Sequence, residues 1–256
     1  METLTLFPGA ETAPVQCAAS FLQKNGWHIA DCPSDLVTHL LLPIPSFDQN
    51  GYIKGSSHDL ESLLRVLPRG ICVIGGNLDS TAIPQIHEIH TIDLLKNEAY
   101  LAENAAVTAH CALKVAVRQM DCTLQELPVL VIGWGRIGKC LARLLRALGA
   151  RVTVAARKET DRAMLQALMY QSCSVDRLCT QASQFDLIFN TVPYPVLDTA
   201  NCKENAILLE LASRPGIIGT GVTDARGLPG KEAPLTSGAL IGKTILRITA
   251  GKEHTS

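Results

Sequence analysis

The stretch VLVIGWGRIGK, residues 129–139, sets Gly133, Gly135 and Gly138 in the spacing G-x-G-x-x-G behind four apolar residues. Glycine is common in turns, so the spacing gains meaning only when a strand leads into it and a helix leads out. Both are legible here. VLVI has strand length, and from Arg136 to Leu148 the residues Ile137, Leu141, Leu144, Leu145 and Leu148 recur on one helical side, with Gly149 placed as a stop. In such a unit Gly133 permits the tight turn, Gly135 lets backbone approach a pyrophosphate, and Gly138 lets the helix pack on the strand. The free N–H groups and the positive dipole end of the helix then face the phosphates. Gly133, Trp134, Gly135, Arg136, Ile137 and Gly138 are therefore expected to hold a dinucleotide.

The following strand bears on which dinucleotide. Selection of NAD places Asp or Glu about 20 residues past the glycines, where it accepts from the ribose 2′-OH. The run RVTVAARK ends instead in Ala156, Arg157 and Lys158. Two cations in place of a carboxylate suit the 2′-phosphate of NADP, Arg157 as a fork and Lys158 as a point charge. NAD stays open as the alternative, because Glu159 lies one residue further on, and the two cations are also compatible with a merely solvated strand end.

Two further strand ends complete the expected cleft. DLIFNTVP, residues 186–193, ends in a rigid turn at which Thr191, Val192 and Pro193 bring backbone toward the nicotinamide half of the cofactor, with Ala212 beyond the next strand. LLELASRPG, residues 208–216, carries Arg214 away from a strand's carboxyl end, where it can bind a substrate carboxylate or simply form a surface ion pair.

The rest of the chain alternates in the same way. Thr3 to Phe7, Thr38 to Leu42 and Gly70 to Ile74 are short apolar runs separated by helix-like stretches at Cys17 to Lys24 and His58 to Val66. Pro43, Pro45, Asn50 and Gly51 read as an irregular loop after a strand. From about Leu94 to Gln119 a helix is expected, with Ala105, Ala109, Ala112, Leu113, Ala116 and Val117 on one stripe. Strands are expected at Val129 to Ile132, Val152 to Ala155, Leu187 to Asn190 and Ile207 to Leu211. A last helix is expected at Gly238 to Thr249, where Leu240, Ile241, Ile245 and Ile248 share a face. At 256 residues the chain accommodates two domains. The fold class is α/β: two doubly wound parallel-sheet domains joined by a long linker helix. The expected divisions are 1–95, a linker helix at 96–121, a nucleotide-binding domain at 122–236 and a C-terminal helix at 237–256 packing back on the first domain.

Composition narrows the partners. A net charge of -1, with 23 basic and 24 acidic residues interspersed, lacks the footprint of nucleic-acid or membrane-surface binding. METLTLFPGAET has neither a basic leader nor a spanning apolar run, so a cytoplasmic protein with a small-molecule partner is expected. Nine cysteines, none in C-x-x-C spacing, indicate neither a disulfide framework nor a zinc site and are expected to be small buried hydrophobes. His87 and His90 are spaced i, i+3, but no third ligand is apparent and no metal is expected.

The motifs VLVIGWGRIGK, LGARVTVAAR, DLIFNTVP, ELASRPG and GLPGKEAPLTSG, the last at residues 227–238, together resemble the A subunit of dipicolinate synthase. The likeness is strongest over residues 100–250. It implies two Rossmann-like domains, and oxidation of a dihydrodipicolinate to the aromatic dicarboxylate with NADP, in the last step of dipicolinate synthesis in spore-forming bacteria. It also implies partnership with a flavoprotein-like B subunit, while a homo-oligomer is expected from related architectures. The dianionic substrate would be met by Arg214, Lys231 and the start of the last helix at Thr236 and Ser237, with Asn104 and Thr108 retained from the family's linker pattern. The chain departs from that pattern in four places. It opens without the usual Gly-Gly-Asp turn, carries His110 where an acid is expected, has Leu235 in place of Lys, and is short between Gly216 and Gly227, which would remove a helix and a strand at the sheet edge. His110, one residue after Ala109 on the apolar stripe, is either a cleft-facing acid or base or a helix-surface residue.

Two other functions compete. Hydroxyacid dehydrogenases need a His late in the chain, yet the only one after His110 is His254; shikimate-type enzymes need an early Lys and Asp, which Lys54 and Asp59 do not match in spacing. A non-catalytic NADP-binding accessory protein remains the second alternative.

Overall fold

In the computed structural model, which describes residues 4–78 and 89–252 with the side chains of 251 and 252 excepted, the chain forms two compact units. The first comprises residues 1–104 and 233–256, the second 105–232. Each is built on its own parallel sheet.

In the first unit the strands are β1 (Thr5–Pro8), β2 (His28–Ile29), β3 (His39–Leu41), β4 (Cys72–Gly75) and β5 (His90–Asp93), in the order β2-β1-β3-β4-β5. This is the flavodoxin-like order, with the chain reversing direction across the sheet between β1 and β3. Helices α1 (Ala13–Gln23) and α2 (Leu60–Val66) connect them. Asp59 caps α2 by accepting from the Ser62 N–H at 2.7 Å. Leu40, Leu42, Val73, Leu60 and Leu63 form a buried cluster under α2. The loop after β3 is pinned by Ser46, whose hydroxyl donates to the Pro43 carbonyl and accepts from the Gly76 N–H, at 2.9 and 3.0 Å.

Helix α3 (Glu98–Val117) runs from the first unit into the second and follows a 3-10 turn at Leu94–Lys96. Ala105, Ala109, Ala112 and Ala116 are buried along it as the alanine stripe required, but Val117, also assigned to that stripe, is half exposed because the helix ends there.

The second unit holds β6 (Pro128–Ile132), α4 (Arg136–Ala147), β7 (Arg151–Ala155), α5 (Glu159–Ala167), β8 (Gln171–Cys173), α6 (Leu178–Gln181) and β9 (Leu187–Asn190). After them come β10 (Leu197–Asp198), β11 (Ile207–Glu210), β12 (Ile217–Ile218), β13 (Val222–Asp224) and α7 (Leu228–Glu232). The six-stranded sheet runs β13-β11-β9-β6-β7-β8, the Rossmann order, with β6 and β9 flanking the switch point; β10 and β12 form a separate parallel pair. Leu130, Ile132, Ile188 and Leu208 lie in one buried cluster on it. The expected loss of an edge strand between Gly216 and Gly227 does not occur. Three residues of β13 suffice to pair with Leu208, Leu209 and Glu210 of β11, so the shortening falls on the connection.

Helix α8 (Pro234–Lys252) then returns to the first unit and packs on α1. It starts at Pro234, before the expected Gly238. Gly238 and Gly242 let it lie directly against Cys17 and Phe21 of α1. Leu240, Ile241 and Ile245 are buried along it.

Candidate functional site

The turn between β6 and α4 has the geometry that three glycines allow. Gly133 sits at φ +105°, a conformation open to glycine, and its N–H donates to the Ala155 carbonyl at 2.9 Å, tying the turn to β7. A Cβ on Gly138 would run into the Gly133 carbonyl, so only glycine lets α4 approach the turn this closely. At Gly135, the N-cap of α4, the space a Cβ would take is open, and glycine has no side chain to cap the helix. The N-terminal end of α4 is thus lined by backbone without a capping side chain, a cradle that fits a pyrophosphate. On α4, Leu141 and Leu145 are buried and Ile137 and Leu144 half buried as the periodicity required. Leu148, expected on the buried side, is 47% exposed, since it stands past the helix end beside the left-handed Gly149. Trp134 packs edge-on against Tyr170, with Lys139 over its indole.

At the carboxyl end of β7, Ala156 is buried while Arg157 and Lys158 are exposed. Arg162 on α5 donates to the carbonyls of Ala156 and Arg157 at 2.9 and 2.7 Å, which fixes the backbone from which Arg157 extends. The Arg157 guanidinium lies over Tyr194, and the two residues share a cavity of about 300 Å³ with Val175, Asp176, Cys179 and Pro195. Thr191 bonds the Ile132 carbonyl through its N–H and its hydroxyl, at 2.9 and 2.8 Å, so that β9 ends against the glycine turn. Val192 is buried and Pro193 exposed.

Beside this turn lies a group the motifs did not single out. Glu210, at the end of β11, is 4% exposed and faces Asn190, which is fully buried, across the β9–β11 pairing. Its two oxygens accept from the Asn190 amide and from the N–H groups of Ala212, Gly216 and Ile217. The signal was the lone acid in the strand sequence ILLEL: a carboxylate buried with a strand must find several donors. Arg214, between the anchored residues, is exposed.

The remaining candidates are divided between the units. Thr108 is buried on α3 and His110, two positions on, is exposed; both belong to the second unit. Lys231 of that unit donates to the Arg226 carbonyl at 3.2 Å. Asn104, half buried, belongs to the first unit with Thr236, exposed, and Ser237, buried, near the start of α8. His87 lies outside the described residues. Among those described, no cluster of His, Cys, Asp or Glu could hold a metal ion, and no helix is long and apolar enough to cross a membrane. The cysteines are all free, but Cys32, Cys122 and Cys179 are exposed, which corrects the expectation of nine buried hydrophobes. Burial pushes the thiol pKa values of Cys173 and Cys202 up, away from the thiolate.

Residues 102–221 match the model of the D-isomer specific 2-hydroxyacid dehydrogenase NAD binding domain. This sequence likeness spans the glycine cradle and the strands on either side of it. Over 241 residues, 87% of this chain and 81% of the relative, it is 25% identical to a Bacillus subtilis protein. That protein is the A subunit of dipicolinate synthase. The fold agrees along its whole length: the A subunit of dipicolinate synthase from Bacillus halodurans superposes with a TM-score of 0.83 at 22% identity, covering 97% of this chain and 98% of that one. A transhydrogenase from Sinorhizobium meliloti shares the same two-sheet layout more distantly, with a TM-score of 0.71 at 14% identity over 96% and 93% of the two chains. The resemblance to the dipicolinate synthase protein thus extends through both units, including the first, where the motifs were sparse.

Proposed function

We propose that this chain is an A-type subunit of dipicolinate synthase, oxidising a dihydrodipicolinate to dipicolinate with NADP as hydride acceptor. The observation that carries the reading is a strand end without a carboxylate, Arg157 beside the glycine cradle, in a chain similar to the A subunit of dipicolinate synthase over 87% of its length. When bound, NADP supplies the two-electron acceptor for the hydride leaving the dihydropyridine ring. The backbone N–H groups at Gly135 to Ile137 hold its pyrophosphate, Arg157 and Lys158 meet the 2′-phosphate, and the turn Thr191 to Pro193, with Ala212, lies on the nicotinamide side. Arg214 binds a substrate carboxylate, with Lys231 as a further donor and Thr108 and His110 on the part of the linker helix that belongs to the same unit. Aromatisation drives the loss of hydride, and the accompanying proton passes to solvent or to His110. The protein's work is chiefly to position and bind. A cytoplasmic enzyme working with a B-type subunit completes the reading.

The test supplies freshly generated dihydrodipicolinate with NADP or NAD and follows reduced nucleotide, with and without a co-expressed B-type subunit. Formation of NADPH establishes the reading, and dependence on the partner establishes the complex. Binding of NADP without turnover rejects the reaction and leaves a nucleotide-binding accessory role.

A further inference from the structure

Glu210 has more donors than holding one strand end requires. Its Oε1 accepts from the Ala212 N–H at 2.9 Å and its Oε2 from the N–H groups of Gly216 and Ile217 at 2.7 and 3.1 Å. The chain from Ala212 to Gly216 is therefore an arch with one foot on each carboxylate oxygen, and Arg214 is exposed at its middle. The same carboxylate accepts from Asn190 Nδ2 at 2.8 and 2.9 Å. Asn190 in turn donates to the Val192 carbonyl at 2.9 Å and accepts from the Val192 N–H at 3.1 Å, shaping the turn at the end of β9. The arch and the turn are joined again where the Val196 N–H donates to the Gly216 carbonyl at 2.9 Å. Gly216 packs so closely under the Asn190 amide that no Cβ fits there.

We propose that Glu210 is a positioning residue: through Asn190 it locks the turn 191–193 and the arch 212–216 into one register, so that the nicotinamide side of the cofactor and Arg214 keep a fixed relation. This rests on the proposed function, in which the turn faces the cofactor and Arg214 the substrate. An apolar residue at this position would leave three backbone N–H groups without an acceptor, and the arch would drift from the turn. A misplacement of about 1 Å between reacting groups lowers turnover by about a hundredfold.

The decisive variant is Glu210→Gln, equal in size but with one acceptor oxygen replaced by a donor. NADP affinity, read by nucleotide fluorescence, is expected to stay within about threefold, because the cradle of α4 does not involve Glu210. Turnover per bound nucleotide is expected to fall about thirtyfold to a hundredfold and substrate KM to rise about tenfold. A residue that only stabilised the fold would lower Tm without moving either constant in the folded fraction. Unchanged kcat and KM in a folded variant overturn the proposal.

Should Glu210→Gln not fold, amide exchange on the unaltered protein decides. NADP alone is expected to slow exchange at Gly216 and Ile217 in step with residues 190–192, and protection confined to 190–192 overturns the proposal. This arm uses no dihydrodipicolinate, so a chain that binds NADP but does not oxidise the substrate sinks the reaction while leaving the coupling to be read. Failure to bind either dinucleotide overturns both.

Discussion

The Arg157 guanidinium carbon lies 6.0 Å from the centroid of the Tyr194 ring, at the edge of a cavity to which both contribute. Arg157 is exposed at the carboxyl end of β7, and the proposed function assigns its charge to the 2′-phosphate. A charge-assisted hydrogen bond contributes about 1.5–3 kcal/mol, which is about a tenfold to hundredfold change in affinity. Arg157→Ala is therefore expected to raise the Kd for NADP by that factor and leave the Kd for NAD within about threefold, measured by calorimetric titration. Equal weakening of the two would mean that Arg157 does not read the 2′-phosphate.

The glycine cradle gives a sharper loss. In Gly138→Ala the new methyl group meets the Gly133 carbonyl, which has nowhere to move because the turn is tied to β7 through Ala155. Binding of both dinucleotides is expected to fall at least about tenfold, with a loss of stability of about 1–3 kcal/mol from overpacking. Calorimetric titration and urea melts check the two parts. A variant that binds normally would show that α4 can slide on the turn.

Much of this was legible in the sequence because the signals were local. G-x-G-x-x-G between an apolar run and an amphipathic helix places the cradle, and the cations at Arg157 and Lys158 follow from counting to the next strand end. Glu210 and Asn190 were not paired in advance, since they lie in different motifs and meet only through the β9–β11 register. The retained edge strand β13 was missed because three residues, Val222 to Asp224, carry too short a pattern to read. Leu148 and Val117 show the limit of periodicity, which continues past the residue where a helix stops.

Asp224 gives a pH dependence. The Arg226 guanidinium, bound to it through Nε and Nη2 at 2.7 and 2.6 Å, holds its carboxyl down to about 2 from 3.8. A lowered folded-state pKa contributes stability that is fully present above the unfolded value and is lost as pH falls toward the folded one. The pair is about half exposed, so solvent screening limits the contribution to about 0.2–1 kcal/mol. The stability difference between the unaltered protein and Arg226→Gln in urea melts is expected to be constant from pH 7 to 5 and to shrink as pH falls below the unfolded value of 3.8. A difference independent of pH would assign the effect of Arg226 to packing.

Tyr100 acts at the other end of the scale. Burial on α3 leaves it 2% exposed and pushes its phenol up to about 12 from 10. With the folded value raised, the contribution to stability is intact below pH 10 and is lost between 10 and 12 as the unfolded state ionises first. Tyr100→Phe keeps the ring and removes the ionisation, so its alkaline unfolding is expected to start at higher pH than in the unaltered protein, followed by circular dichroism. Coincident alkaline transitions would exclude Tyr100 as the trigger.

The partnership of α1 with α8 also governs the order in which the molecule can be assembled. The second unit is one unbroken length of chain, whereas the first is interrupted by it and is finished only by a helix that begins at Pro234. During synthesis at roughly 5–20 residues per second, the surface of α1 that α8 covers stays bare for on the order of ten seconds or more after α1 emerges, while the second unit becomes available to fold. Nascent chains should thus pass through a stage with a finished nucleotide-binding unit and an open first unit, the stage at which a chaperone would have most to hold.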